Sequence, residues 1–183
     1  DLAAHQVTIN IASTTFMVAL GASLAGSVRV GQHIGAHRPR AMRRAVLATY
    51  VVAIGFMALC ALIFLGLPRE LIGLYTSDPG LIELGARLLL VATAFQVFDG
   101  AQVAGMSVLR GAADTRTPML IAGLGSWGFG VPVGYLLAFF AGLGAIGVWA
   151  GLSAGLGVVA IMLALRVRRA LWRADFETLK AGS

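Results

Sequence analysis

The sequence predicts an all-α protein that crosses a membrane five times. Three observations carry that expectation. Hydrophobic residues make up 58% of the 183 positions and charged residues only 12%, against about 25% charged in ordinary soluble domains. The apolar residues gather into five stretches, each near the roughly 20 residues that span a bilayer as a helix. The basic residues lie at the ends of those stretches. A soluble fold could not hide this surplus, since more than half of an ordinary protein's surface is already apolar. Mean hydropathy is +0.87. A net charge of +6 in a soluble chain would point to nucleic acid. Here the charges mark membrane topology instead, so the expected surroundings are a lipid bilayer and no nucleic-acid partner is expected.

The first span is expected over about residues 2–28, where Leu2 to Val28 is apolar apart from His5 and scattered Gln, Asn, Ser and Thr. The second is expected over 45–67 and the third over 81–109, with Glu83 and Arg87 in its first turns. Ser77-Asp78-Pro79-Gly80 precedes the third as a turn followed by a helix start. The fourth covers 119–140, where Pro132 removes a backbone donor and should kink the helix. The fifth covers 144–165. Residues 1–165 thus form a transmembrane bundle, and residues 166–183 a basic cytoplasmic tail. The intervening loops are expected at about 31–44, 68–80, 110–118 and 141–143.

Charge sets the expected orientation. Arg29, Arg38, Arg40, Arg43 and Arg44, then Arg110 and Arg116, then the tail from Arg166 to Lys180 all fall on one side of a five-span zigzag. Only Arg69 and Arg87 fall on the other. The positive-inside rule puts the larger group in the cytoplasm, the N-terminal end outside and the C-terminus inside. The chain starts at Asp1 without Met, and His5, Gln6 and Asn10 interrupt its first apolar stretch unlike a signal peptide. A missing N-terminal part is therefore expected, and an odd span count fits it. Cys60 is the lone cysteine, so no disulfide joins two parts of this chain.

Small residues set the expected packing. Gly147, Gly151 and Gly155 repeat every four residues in the fifth span, and Gly130 and Gly134 do so in the fourth. Lipid supplies no hydrophobic drive between helices, so close backbone approach at small residues must hold them together.

Asp99 is the residue most informative about function. It lies past the middle of the third span, in Phe95-Gln96-Val97-Phe98-Asp99-Gly100-Ala101-Gln102. A carboxylate deep in a spanning helix costs about 2.5–3.5 kcal/mol on insertion scales, so it needs partners, water or an ion. Gln96 and Gln102 flank it at i−3 and i+3. One reading is a cation or proton site in a hydrated cavity, possible for Na⁺ as a metal ion; the other is a structural bond to a neighbouring helix. In the first span Gln6, Asn10, Ser13 and Met17 recur at helical spacing, with Thr14 beside them. They would line a cavity open to the outside, or hydrogen-bond between helices. Phe95, Phe98, Met17, Met57 and Met106 could form an adaptable wall for bulky ligands, or ordinary packing.

Two motif matches carry nothing. Gly151-Leu152-Ser153-Ala154-Gly155 fits a nucleophile elbow but lies within a spanning helix. Gly123 to Gly128 fits a dinucleotide fingerprint without a surrounding βαβ unit. No His/Cys spacing suggests a bound metal, no cofactor is expected, and no nucleophile–base pair suggests an enzyme.

The order of short motifs resembles the second half of a MATE (multidrug and toxic compound extrusion) transporter of the NorM-like branch. Ala3-Ala4-His5-Gln6-Val7 opens the first span; Ser27-Val28-Arg29-Val30-Gly31-Gln32 with Gly35-Ala36 closes it. Leu74-Tyr75-Thr76, Leu109-Arg110-Gly111 with Asp114 and Thr115, Pro132-Val133-Gly134-Tyr135 and Gly144-Ala145-Ile146-Gly147-Val148-Trp149 follow in order. The resemblance implies five helices of a six-helix lobe in a twelve-helix, two-lobe transporter. It implies multidrug efflux in which cationic or drug-like compounds exchange for Na⁺ or H⁺ at the bacterial inner membrane. It also implies that an acid at Asp99 takes part in cation binding, helped by an acid on a missing helix. Some members carry Tyr where this chain has Phe95, a lost hydroxyl that leaves room for protons. The alternative from another class is a lipid-binding or flippase-like component, which a basic central cavity would favour.

Overall fold

The computed structural model describes residues 2–140, 142 and 144–181, with the side chains of 2, 4, 94, 145, 146 and 172–181 left aside. Helices account for nearly all of it. α1 runs Leu2–Gly35, α2 Pro39–Gly66, the short α3 Pro68–Gly73 and α4 Pro79–Gly111. The fourth span is composite: α5 Arg116–Gly123, a π-helical run Leu124–Gly130, α6 Val131–Tyr135 and a second π-helical run Leu136–Phe140. α7 runs Gly144–Ala181. Four helical stretches are long and apolar enough to span a membrane, and α4 makes a fifth when its two bent halves count as one span.

The helices exceed the expected spans because charge ends a span without ending a helix. α1 continues through Arg29 and His33, and α2 starts at Pro39, so the expected 31–44 loop shrinks to a turn at Ala36, His37 and Arg38. Arg and Ala are good helix formers in water as well. Pro39 at the first turn of α2 suits a residue whose missing N–H would be unpaired there anyway. At the head of α4, Asp78 caps as its sequence suggests, accepting from the Gly80 N–H at 2.8 Å and the Leu81 N–H at 3.4 Å. Past Leu165 the backbone of α7 stays helical to Ala181. The amphipathic side-chain pattern of the tail, with Arg173 and Lys180, lies outside the described residues, as does most of the 141–143 link. Gly142 and Gly144 enter α7 with φ of +69° and +53°, a region that glycine occupies without strain.

Pro132 is accommodated by a change of helical register. In the π-helical run before it, Val131 N–H reaches back five residues to the Ser126 carbonyl, and the helix then resumes over a residue that cannot donate. α4 bends by 47° between Pro79–Thr93 and Phe95–Gly111. Thr93 Oγ1 donates to the Leu89 carbonyl at 3.1 Å just before the bend, and such back-bonding opens a helix locally.

α4 is the hub, packing on α1, α2, α3 and α7. Three apolar layers fill the bundle. One, toward the Arg-rich end, joins Val30, Met42, Val46, Leu109, Leu163 and Val167. A middle layer joins Ala19, Met57 and Val103. The opposite end joins Ile11, Phe64, Ile72 and Leu89. The composite fourth span packs on α7 through glycines, with little room for a side chain between Gly151 and Gly134.

Ion pairs sit at the two ends. Glu83 holds both Arg69, at 2.8 Å, and Arg87, at 3.4 Å, so the two arginines on the sparsely charged side share one carboxylate. At the other end Arg166 on α7 holds Asp114, after α4, at 2.7 Å, while the Thr117 N–H donates to Asp114 at 3.2 Å. Burial pushes the Asp114 carboxyl up, but hydrogen bonds from Thr117 and Arg166 more than offset it and leave it below its ordinary value. A depressed carboxyl stabilises the fold above its unfolded value, about 3.9, and loses that contribution as pH falls through the folded value. Asp114→Asn should therefore cost about 1 kcal/mol or less at pH 7. In thermal unfolding of the full-length protein, the gap between variant and wild type should close once the pH drops well below 4.

Candidate functional site

α1, α4 and α7 border an open cavity of about 280 Å³ lined by Ile9, Ala12, Ser13, Phe16, Phe95, Gln96, Asp99 and Trp149. Asp99 is half-buried there and is the only ionisable group in the lining. Among the described residues no arginine, lysine or histidine pairs with it. This removes the plainest structural reason for an acid at this depth, an ion pair to another helix.

The floor of the cavity is held by a short relay. Gln96 is 1% exposed, and its Nε2 donates to Thr15 Oγ1 at 2.8 Å. Thr15 in turn donates to the Ala12 carbonyl at 2.8 Å. The amide thus joins α4 to α1 beside the cavity that Asp99 lines. Thr15→Val leaves a buried amide donor without its acceptor. Membrane hydrogen bonds are typically worth about 0.6–2 kcal/mol, so a thermal unfolding shift of that size in the full-length protein is expected.

Part of the lining is aromatic. Phe95 stacks on Trp149 with ring centroids 5.4 Å apart and 28° between planes. His5 also meets Trp149, in a T-shaped contact with ring centroids 5.6 Å apart. A carboxylate beside stacked rings is chemically suited to a cation that carries apolar bulk, since ring faces attract cations and the acid supplies the charge.

Of the sequence-predicted residues, Asp99, Gln96, Phe95 and Ser13 come together here. Gln102, Asn10, Thr14 and Met17 do not line this cavity. Gln102 turns away toward Met106, with its Nε2 4.0 Å from the sulfur and its Oε1 buried without a partner. Thr14 donates to the Asn10 carbonyl on its own helix at 2.8 Å. Among the described residues, Asn10, Thr14 and Met17 lie on an exposed face of α1, and Met17 is 64% exposed. The sequence reading missed Trp149, Phe16 and Thr15. Trp149 had a signal, as the one large aromatic side chain among the small residues opening α7; Thr15 had none.

The MatE family model matches residues 1–136. The chain is 45% identical over 175 residues to the probable multidrug resistance protein NorM of Brucella suis biovar 1 (strain 1330), covering 93% of this chain and 37% of that protein. It is 48% identical over 170 residues to the multidrug resistance protein NorM of Burkholderia vietnamiensis, covering 90% and 37%. The chain therefore spans little more than a third of the length of these relatives. It shares its fold with part of the eukaryotic MATE transporter AtDTX14, with a TM-score of 0.80, 22% identity, and coverage of 96% of this chain and 40% of that one. It shares it equally with part of an inward-facing multidrug resistance MATE family transporter of the MOP superfamily, with a TM-score of 0.82, 18% identity, and coverage of 92% and 39%. With most of its length matched by the family model, this chain belongs to the MatE family.

Proposed function

We propose that this chain forms most of one lobe of a secondary active multidrug exporter in the bacterial cytoplasmic membrane, exchanging cationic or drug-like compounds for Na⁺ or H⁺. The N-terminal end of the chain lies outside and the C-terminus in the cytoplasm. The rest of the transporter, including the other lobe, comes from the length that its relatives have beyond this match. The observation that carries the proposal is the Asp99 cavity, with its unpaired carboxylate beside the Phe95–Trp149 stack.

One carboxylate gives the coupling. A proton, a Na⁺ ion or a cationic drug can each neutralise Asp99, and only one can do so at a time. Ion entry then displaces drug, and rocking of the two lobes delivers each to the opposite side. Ser13 and Gln96 are the polar side chains that share the cavity. Na⁺ would draw further oxygens from water or from the rest of the transporter. The flippase-like alternative calls for basic groups to hold lipid phosphate, and the lining of this cavity has none.

The test is transport by the full-length protein in vesicles, with Na⁺ and pH gradients imposed separately. At least one gradient should drive a cationic substrate uphill. Substrate movement indifferent to both would overturn the proposal.

A further inference from the structure

A second cavity, of about 430 Å³, opens between α1 and α2 near their junction. Its walls are small and apolar, with Ala22, Ala25 and Gly26 from α1 and Ala45, Ala48 and Val52 from α2. The end nearest the α1–α2 turn is different: Arg29 and His33 from α1 and Arg44 from α2 line it. Both arginines are exposed, and among the described residues neither pairs with a carboxylate. From Arg44 to Val52 the groove runs about 12 Å along α2, at 1.5 Å per residue. It thus begins at the charged end of the helix and reaches into the spanning segment.

That combination fits one kind of molecule: an anionic head with an apolar chain, lying parallel to the helices. We propose that this groove binds an anionic phospholipid of the cytoplasmic leaflet, with its phosphate between Arg29, His33 and Arg44 and an acyl chain along the alanine walls. Basic pockets between spanning helices on the cytoplasmic side are suited to anionic headgroups. Arginine matches phosphate oxygens in a planar, two-pronged geometry. The alanines leave the width a chain needs where larger residues would close the gap, while Gly26 lets Thr49 pack tightly against α1. Thr49, at the back, already donates to the Ala45 carbonyl at 2.8 Å, so the depth of the groove asks for no polar partner.

The site is separate from the Asp99 cavity and shares no lining residue with it. It rests on the proposed orientation, which puts the Arg-rich end in the cytoplasm, and not on ion-coupled exchange. A bound lipid would tie α1 to α2, and α1 also carries Ser13 of the transport cavity, so lipid composition could tune transport.

The experiment is native mass spectrometry of the full-length protein with phosphatidylglycerol or cardiolipin, against phosphatidylcholine of the same chains. The wild type should retain an anionic lipid preferentially. Arg29→Gln with Arg44→Gln should weaken that retention on the order of 25-fold, at about fivefold per arginine. Arg38→Gln with Arg40→Gln removes the same charge from the adjoining turn and should change it little. Ala48→Leu keeps every charge but fills the groove from an exposed position, and should also expel the lipid. Equal loss in the two arginine pairs would overturn the proposal in favour of diffuse surface charge. So would retention unchanged by Ala48→Leu, or no preference for anionic over neutral lipid. A transport defect at Asp99 would leave all these outcomes as they are.

Discussion

Asp99→Asn in the full-length protein should reduce ion-coupled efflux to the level of protein-free vesicles while leaving the protein folded. The substitution keeps the shape but removes the charge and turns one acceptor oxygen into an N–H donor group. A carboxylate at this depth costs about 2.5–3.5 kcal/mol to place in a membrane, and among the described residues Asp99 has no cationic partner to offset that cost. Losing the charge should therefore leave thermal stability unchanged or raise it. The split between intact stability and lost coupling separates a functional acid from a structural one. Normal coupled efflux in the Asn variant would refute the assignment, and a large fall in stability would point to a hidden structural partner. Expression and unfolding temperature should be measured alongside transport, so that the two outcomes are distinguished.

Gly151→Ala is expected to destabilise the protein by about 1–3 kcal/mol, the usual cost of overpacking. An added methyl at Gly151 would meet the Cα and N of Gly134 and stand 2.9 Å from the Gly130 carbonyl oxygen. Those are backbone atoms, which cannot swing aside as a side-chain tip can. Relief must come from separating α7 from the composite fourth span. The neighbouring contacts resist this. A Cβ on Gly147 would stand 2.6 Å from the Ala138 N, and one on Gly155 would stand 2.8 Å from the Gly130 Cα. Gly55→Ala on α2 is the control, because a methyl there meets nothing within 4 Å. Alanine is the better helix former by about 0.5–1 kcal/mol, so this control should be neutral or slightly stabilising. Thermal unfolding of both variants of the full-length protein decides the matter. An equal response at the two positions would mean that the glycine contact is not what holds these helices together.

The spans were legible because apolar length is a one-dimensional property, countable along the chain. Loop bounds were less so. The run from Gly31 to Arg44 reads as a loop by charge, yet only Ala36, His37 and Arg38 leave the helix, because charged residues continue a helix beyond the bilayer as readily as within water. Asp99 was legible for the opposite reason: one acid in an apolar run is conspicuous wherever it points. Its two glutamines were not equivalent, and helical geometry explains this. At 100° per residue, positions three before and three after Asp99 fall about 60° to either side of it. Gln96 turns toward α1 and the cavity floor, and Gln102 toward Met106. The same geometry divides α1, where Ser13 lies at the edge of the polar stripe and reaches the cavity, while Asn10, Thr14 and Met17 face outward. The Gln96–Thr15 bond joins residues 81 positions apart, a pairing no local spacing could announce.

Coupling by exclusion at one carboxylate is most directly tested by equilibrium binding to the purified full-length protein, with Na⁺ or proton release followed as a cationic substrate is added. The account predicts that substrate binding releases a bound cation from the wild type and none from Asp99→Asn. Simultaneous binding of substrate and cation, with no release on either protein, would contradict it.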